Sequence, residues 1–157
     1  MKKMKTILSF IMLCLVGGSS ALYAQQRSAA DIKQMVESKN FVFKAETASP
    51  VRGGTRQLSQ GYEITVTSSS IVSDLPFFGR AQTVPISGDG GIKFTSTNFD
   101  YKAEPGRKGW KVTIKTKDVA NVQQLYLTIY DNGNATLDVM NIHRDDISFR
   151  GYISGVK

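Results

Sequence analysis

The chain has 157 residues, a formal net charge of +7 and one cysteine. This length suits a single domain with its own hydrophobic core. A lone cysteine excludes a fold held by internal disulfides, so packing and backbone hydrogen bonds must hold the chain together.

The first 24 residues predict a signal peptide. Three lysines lie within the first five residues, an apolar run spans residues 6–16, and small residues follow at 17–21. This order of basic, apolar and small residues is typical of export signals. The apolar run is shorter than the about 20 residues that a membrane span requires. Cleavage fits best after Ala24, before a polar stretch, and cleavage after Ala21 also fits.

The remaining residues, 25–157, are expected to form one β-rich domain that is exported to the periplasm or the cell envelope. The only cysteine, Cys14, lies in the predicted signal peptide, and no second apolar run could span a membrane. Without the three N-terminal lysines, the basic residues fall from 20 to 17 against 13 acidic ones. This excess favours anionic surfaces, whereas export argues against a nucleic-acid partner.

A helix is predicted over Ser28–Lys39. Ser28 is a suitable N-cap, with Asp31 as the partner in an imperfect capping box. Asn40 suits the left-handed residue that ends a helix. The apolar stripe of this helix consists of Ile32, Met35 and Val36.

The rest of the chain predicts strands, because apolar and polar residues alternate in run after run. Seven to nine strands are more than a flat sheet usually carries. We therefore expect a strongly curved antiparallel sheet or a partly closed barrel, with the helix over one face or one mouth. A two-sheet sandwich is the alternative. The inward-facing residues are predicted to be Phe41, Phe43, Ala45, Tyr62, Ile64, Val66, Ile92, Phe94, Phe99, Tyr101, Trp110, Val112, Ile114, Ile147, Phe149 and Ile153.

Residues 124–139 carry the strongest hairpin signal in the chain. A two-residue loop would set Leu127 opposite Asp138, which pairs an apolar core residue with a charged residue that should face solvent. A three-residue loop, Asp131–Gly133, sets Leu127 opposite Leu137 instead, and Gly133 readily adopts the left-handed conformation that such a loop needs. The sequence therefore predicts the three-residue loop.

The segment Leu75–Arg80, here called the aromatic segment, breaks the alternation. It reads Leu-Pro-Phe-Phe-Gly-Arg and follows Asp74. Its four consecutive apolar residues cannot all face one core from a regular strand. We predict a binding site here that consists of Asp74, Leu75, Phe77, Phe78 and Arg80. The other interpretation is a chain corner at which both phenylalanines enter the core.

Three further features have structural explanations that are stronger than functional ones. The loop Ser87–Gly91 resembles a phosphate-binding loop only in its glycines, and a strand follows it, so a hairpin turn is favoured. The loop Arg52–Arg56 could bind an anion, but a solvated loop is favoured. His143 has only nearby aspartates as possible co-ligands, which is a thin set for a metal site.

Four lysines, Lys108, Lys111, Lys115 and Lys117, form a basic stripe along one predicted strand. Such a stripe usually protects a solvated sheet edge, and it could also orient the protein on an anionic envelope surface. No pairing of a nucleophile with a base stands out in the sequence, so we expect neither catalysis nor a cofactor.

Several motifs together resemble domain-of-unknown-function family 4251, a family of exported Bacteroidetes proteins. These motifs are Phe41–Ala45, Gly61–Tyr62, Asp74–Ala81, Gly90–Ile92 and Arg144–Gly151. The resemblance spans nearly all of residues 25–157. It implies export and a shared scaffold but no catalytic residues. In this family we associate tyrosine with the positions of Phe77 and Phe149.

The expected function is that of a monomeric, non-enzymatic binding module that holds an apolar or anionic ligand near the aromatic segment. The alternative is an inhibitor or accessory factor that presents the same segment to another envelope protein. A hydrolase ranks third. A deep apolar cavity would favour the ligand, and a protruding aromatic loop would favour the protein partner.

Overall fold

The computed structural model describes residues 28–81 and 90–156. The predicted signal peptide, both possible cleavage points and most of the loop Ser87–Gly91 lie outside these ranges. Within them, no helix is long and apolar enough to cross a membrane.

The predicted helix is present as α1 (Ala29–Glu37). The capping box is complete, because the Asp31 amide donates to the Ser28 hydroxyl at 3.2 Å and the Ser28 amide donates to the Asp31 carboxylate at 3.3 Å. The left-handed residue is Lys39, with φ of 52°, so the assignment of Asn40 was wrong by one position. The helix ends earlier than predicted, and the Lys39 amide still donates to Val36.

The described part of the chain after the helix contains ten strands, compared with the predicted seven to nine. They are β1 (Phe41–Pro50), β2 (Arg56–Gln57), β3 (Glu63–Val66), β4 (Ile71–Leu75), β5 (Ile92–Ser96), β6 (Phe99–Gly106), β7 (Gly109–Thr116), β8 (Val122–Tyr130), β9 (Asn134–Asn141) and β10 (Ile147–Ser154). The sequence analysis did not anticipate β2 or β4. In β4, buried and exposed residues alternate up to Leu75, so the irregular part begins at Pro76.

All ten strands belong to one antiparallel sheet, in the order β5-β4-β3-β1-β10-β9-β8-β7-β6, and β2 pairs with β1. Only Thr97 and Asn98 separate β5, at one edge, from β6, at the other. Three Cα steps span at most about 11 Å, so the two edges approach each other here. The sheet is thus a nearly closed barrel, as predicted, and the two-sheet sandwich is excluded.

We call the junction between β5 and β6 the seam. The Asp118 carboxylate holds it by accepting bonds from the Ser96 hydroxyl at 2.5 Å and from the amides of Thr97 at 2.8 Å and Asn98 at 3.0 Å. A side chain that follows β7 therefore fastens the turn at which the chain passes from one sheet edge to the other.

The β8–β9 hairpin has the predicted register. Leu127 pairs with Leu137, and Leu125 pairs with Val139. Gly133 has φ of 87°, and its amide donates to Tyr130 at 2.9 Å. The three-residue loop is therefore confirmed.

Side chains fill the interior of the barrel. The largest fully buried ones are Phe41, Phe43, Phe149, Ile32, Ile64, Ile71, Leu75, Ile114, Leu125, Leu127, Ile129 and Leu137. Burial of this apolar area is the main source of stability for a chain whose described residues contain no cysteine.

The helix covers the mouth of the barrel at which the β8–β9 loop lies. Ile32 is buried, and its Cδ1 lies 3.4 Å from where a Cβ on Gly133 would stand. The Tyr101 hydroxyl on β6 donates to the Val36 carbonyl at 2.8 Å, and burial raises the pKa of this tyrosine well above its usual value. The strand ends that carry the aromatic segment lie at the opposite mouth.

Candidate ligand-binding site

The first two predicted site residues belong to β4. Asp74 is exposed and forms a salt bridge with Lys93 on the neighbouring strand at 3.4 Å. Leu75 pairs with Ile92 and is fully buried in the core. Its side chain completes the inward-facing row of β4 and is not part of the exposed face of the segment.

Phe77 and Phe78 are both half-buried and pack against the core. A different arginine covers each ring: the Arg144 guanidinium lies 5.3 Å from the Phe77 centroid, and the Arg56 guanidinium lies 4.7 Å from the Phe78 centroid. Such stacking joins the apolar ring to a cation and keeps part of the ring out of water. The segment is thus neither a protruding aromatic loop nor a fully buried core corner.

Arg80 is exposed, and its backbone fastens the aromatic segment to the β9–β10 connection. Its amide donates to the Asp145 carboxylate at 3.1 Å, and the Asp145 amide donates back to the Arg80 carbonyl at 3.0 Å. An added Cβ at Gly79 would lie 2.8 Å from the Phe77 ring and 3.3 Å from the Asp145 side chain. Glycine therefore permits this close approach.

Arg144 connects the two ends of the chain segment that lies between β4 and β5. Its backbone forms an isolated β-bridge with Ala81. Its Nη1 donates to the carbonyls of Gly90 at 2.8 Å and Gly91 at 3.1 Å. Together with the stacking on Phe77, these bonds fix the guanidinium in one place.

A cavity of about 270 Å³ lies beside Arg144, at the barrel mouth opposite α1. It opens between the start of β5, the β7–β8 connection and the β9–β10 connection. Its apolar lining residues are Ile92, Phe94, Val119 and Val122. Its polar lining residues are Lys93, Asn121, Asn141 and Arg144, and Gly90 and Gly91 complete the wall.

Hydrogen bonds order the β9–β10 connection that forms one wall of the cavity. The Asn141 side-chain amide donates to the Asp145 carbonyl at 2.9 Å, and the Asn141 backbone amide donates to the Asp146 carboxylate at 3.0 Å. His143, in the same connection, is exposed. Across residues 28–81 and 90–156, no group of three histidine, cysteine or acidic side chains is placed to hold a metal ion.

No residue of the two other basic features lines the cavity. The loop Arg52–Arg56 is exposed, and its last residue is the arginine that covers Phe78. Within the lysine stripe, Lys117 forms a salt bridge with Asp100 at 2.6 Å, and Lys111 lies opposite Glu104. Acidic neighbours therefore offset part of the stripe.

The model of a family described as DUF4251, a domain of unknown function, matches residues 23–153. The chain belongs to the DUF4251 family. The resemblance inferred from the motifs is thereby confirmed. A crystal structure of a DUF4251 family protein from Bacteroides eggerthii DSM 20697 is similar, with a TM-score of 0.61 and 17% identity over 84% of this chain and 90% of that one. At this identity, the similarity supports the shared fold alone. No curated protein matches the chain.

The sequence analysis of this DUF4251 protein missed the residues that complete the cavity. Val119 and Asn121 precede β8, and Asn141 ends β9, so none of them is near the aromatic segment in the chain. Arg144 was visible only as the first residue of the family motif Arg144–Gly151. A search for charged residues inside family motifs would have selected it.

Proposed function

We propose that this DUF4251 protein is an exported, non-enzymatic binding module that holds a small ligand in the cavity beside the aromatic segment. The observation that carries this proposal is the 270 Å³ cavity at the mouth opposite α1, which Arg144 connects to the ring of Phe77. The predicted N-terminal signal peptide supports export to the periplasm or envelope.

The size and the lining of the cavity support a small ligand. Ligand pockets usually measure about 300–1,000 Å³, so 270 Å³ is just below that range and suits a ligand smaller than most. Four apolar side chains offer contact area, and four polar ones can orient a bound molecule. The polar lining side chains are two amides and two cations, which suits binding rather than general-base or nucleophilic chemistry.

The alternative function, docking to another envelope protein, has a separate observation in its favour. Asp74 and Arg80 are exposed on either side of the aromatic segment, and Phe78 is half-exposed beneath Arg56. A partner would then contact the outer side of the segment and leave the cavity free. Ligand binding is favoured over protein docking, because a cavity is present and the rings of the aromatic segment do not protrude.

Native mass spectrometry of the protein, purified from cells that naturally produce it, tests the proposal. Val119 lines the cavity from the β7–β8 connection and is half-buried, so Val119→Phe would fill part of the space. Val51 is 68% exposed in a loop elsewhere, so Val51→Phe adds the same atoms without touching the cavity. We expect a small added mass on the wild type and on Val51→Phe, and its loss from Val119→Phe.

Two results would contradict the proposal. Unliganded protein in all three samples would show that the cavity retains nothing, and an equal added mass on all three would place the ligand elsewhere. A protein-sized adduct that persists in Val119→Phe and disappears in Arg80→Glu would support the docking alternative instead.

A further inference from the structure

The cavity contains a guanidinium, that of Arg144, that forms no salt bridge with any carboxylate of residues 28–81 and 90–156. Among residues 28–81 and 90–156, the acceptors of Arg144 are two backbone carbonyls, those of Gly90 and Gly91, and the stacked ring of Phe77 is its other contact. Carbonyl groups and rings attract a cation but leave its full unit charge in place. A half-buried charge of this kind favours an anion beside it.

The other charged groups near the cavity have partners of their own. Lys93 is in a salt bridge with Asp74 at 3.4 Å. The carboxylates of Asp145 and Asp146 accept backbone amides of Arg80 and Asn141. Backbone amides are neutral, so both carboxylates keep their charge, but neither lines the cavity. Of the two cations that line it, Lys93 is in a salt bridge with Asp74 and Arg144 is in none with the described residues, so the lining is complementary to one negative charge.

The contacts of Arg144 leave its edge available for a ligand. Both carbonyls accept from Nη1, so the donors of Nε and Nη2 have no hydrogen-bond acceptor among the described residues. These donors form a planar fork that matches the two oxygens of a carboxylate. Because the carbonyls and the ring already hold the group, little side-chain entropy is lost when an anion binds.

We infer that the ligand is a small organic monoanion, with a carboxylate head on the Nε/Nη2 edge of Arg144 and an apolar body against Ile92, Phe94, Val119 and Val122. This inference rests on the proposed function and specifies its ligand class. A volume of 270 Å³ corresponds to about nine water molecules, so an acid of about eight to ten non-hydrogen atoms fits.

Titration of the ¹⁵N-labelled protein, followed by amide chemical shifts, tests the inference with three probes of equal chain length: hexanoate, 1-hexanol and hexylamine. We expect hexanoate to shift the amides of Gly91, Asn121 and Arg144, with a dissociation constant at least about tenfold lower than that of hexanol. Hexylamine should bind more weakly than hexanol, because it brings a cation to Arg144.

Asn121→Asp separates the charge effect from any change in packing. It adds a carboxylate of nearly the same shape to the cavity, whereas Asn134→Asp adds the same charge at the start of β9, at the opposite end of that strand from the cavity residue Asn141. We expect Asn121→Asp to weaken hexanoate binding about fivefold or more and to leave hexanol binding unchanged, and Asn134→Asp to change neither.

The outcomes distinguish the ligand class from the function. Hexanol and hexanoate binding in the cavity with equal affinity would overturn the anion inference and leave a binding module for neutral ligands. The absence of hexanoate-induced shifts at the cavity would also overturn it, and native mass spectrometry of Val119→Phe would then decide the proposed function separately. If Asn121→Asp and Asn134→Asp lost the same amount of hexanoate affinity, the carboxylate would not be bound specifically beside Arg144.

Discussion

The β8–β9 hairpin and the aromatic segment are built from opposite kinds of contact. In the hairpin, partners are close in sequence, and fully buried aliphatic residues such as Leu127 and Leu137 face each other. In the aromatic segment, the partners are remote: the Arg80 amide bonds to Asp145, 65 residues away. Its rings are half-buried beneath Arg56, at the start of β2, and Arg144, in the β9–β10 connection.

The two kinds of contact imply that the hairpin contributes more to stability, whereas the candidate site lies near the aromatic segment. The hairpin combines a continuous backbone ladder with core packing, which together resist opening. The aromatic segment depends on single hydrogen bonds and partly exposed rings, which open at lower free energy. The cavity lies in this less stable region, as binding sites on loops over a rigid scaffold commonly do.

The largest expected effect is in the hairpin. Leu127 is 1% exposed, so Leu127→Ala should lower the free energy of unfolding by about 3 kcal/mol, because it removes buried methyl groups and leaves a cavity. Thr128→Ala, on the half-buried outer face, should cost less than about 1 kcal/mol. Urea unfolding followed by the fluorescence of Trp110, the only tryptophan, measures both variants. If both variants lost the same free energy of unfolding, the buried face of the hairpin would contribute no more to stability than its outer face.

A smaller effect is expected in the aromatic segment. Phe77→Ala should lower the free energy of unfolding by about 2 kcal/mol, because the ring is only half-buried and loses its contact with Arg144. Phe77→Leu should recover about half of that loss, since it restores apolar area without the ring. Urea unfolding measures these variants. If Phe77→Ala lowered the free energy of unfolding as much as Leu127→Ala does, the aromatic segment would be as much a part of the core as the hairpin.

The hairpin loop should be sensitive to one backbone conformation. Gly133→Ala should cost about 1 kcal/mol, because a side chain is disfavoured at φ of 87°. Gly133→Asn should cost more than Gly133→Ala, because its longer polar side chain would lie against the buried Ile32. As a control, Gly155→Ala places its Cβ in open space and should change the urea midpoint little. If Gly133→Ala left the free energy of unfolding unchanged, the conformation of the loop would contribute little to the stability of the hairpin.

The seam should respond to acid. A hydrogen bond from the Ser96 hydroxyl, followed by the Thr97 amide, lowers the pKa of Asp118 to about 2 from an ordinary value of 3.8. This carboxylate therefore stabilises the fold above pH 3.8, and its contribution is lost as the pH falls from 3.8 to about 2. Asp118→Asn should be less stable than the wild type at pH 7 and should lose less stability across that range.

Acid unfolding followed by Trp110 fluorescence measures this difference. Asp131→Asn, in the hairpin loop, removes the same formal charge far from the seam in sequence and serves as the control. If Asp118→Asn and the wild type lost stability in parallel between pH 3.8 and 2, Asp118 would not hold the seam.

The sequence predicted the features that depend on near neighbours. The alternation of Leu125, Leu127 and Ile129 determined the register of the hairpin, and Ser28 with Asp31 marked the start of α1. Asn40 was wrong by one position because several residues can adopt the left-handed stop. The strand β4 was missed because Leu75 was grouped with the irregular residues that follow it, although its side chain continues the inward row.

The candidate site was predicted only in part, for a physical reason. Phe77, Phe78 and Arg80 were chosen from composition, and none of them lines the cavity; Phe77 is connected to it through Arg144, which lies over its ring. Val119, Asn121 and Asn141 carry no local pattern, and they meet only because the curved sheet brings three of its connections to one mouth.

The sequence by itself determined the β class, the capped helix and the hairpin register, because periodicity, caps and turns act over a few residues. Its motifs resembled those of DUF4251, and the family model confirmed that resemblance. Only the tertiary structure decided that the sheet closes nearly to a barrel, that Leu75 is core, and that Arg144 stacks on Phe77 beside a cavity. Those features depend on contacts between residues 17 to 67 positions apart, as for Leu75 with Ile92, Asp118 with the seam, and Arg144 with Phe77. No short window of sequence contains them.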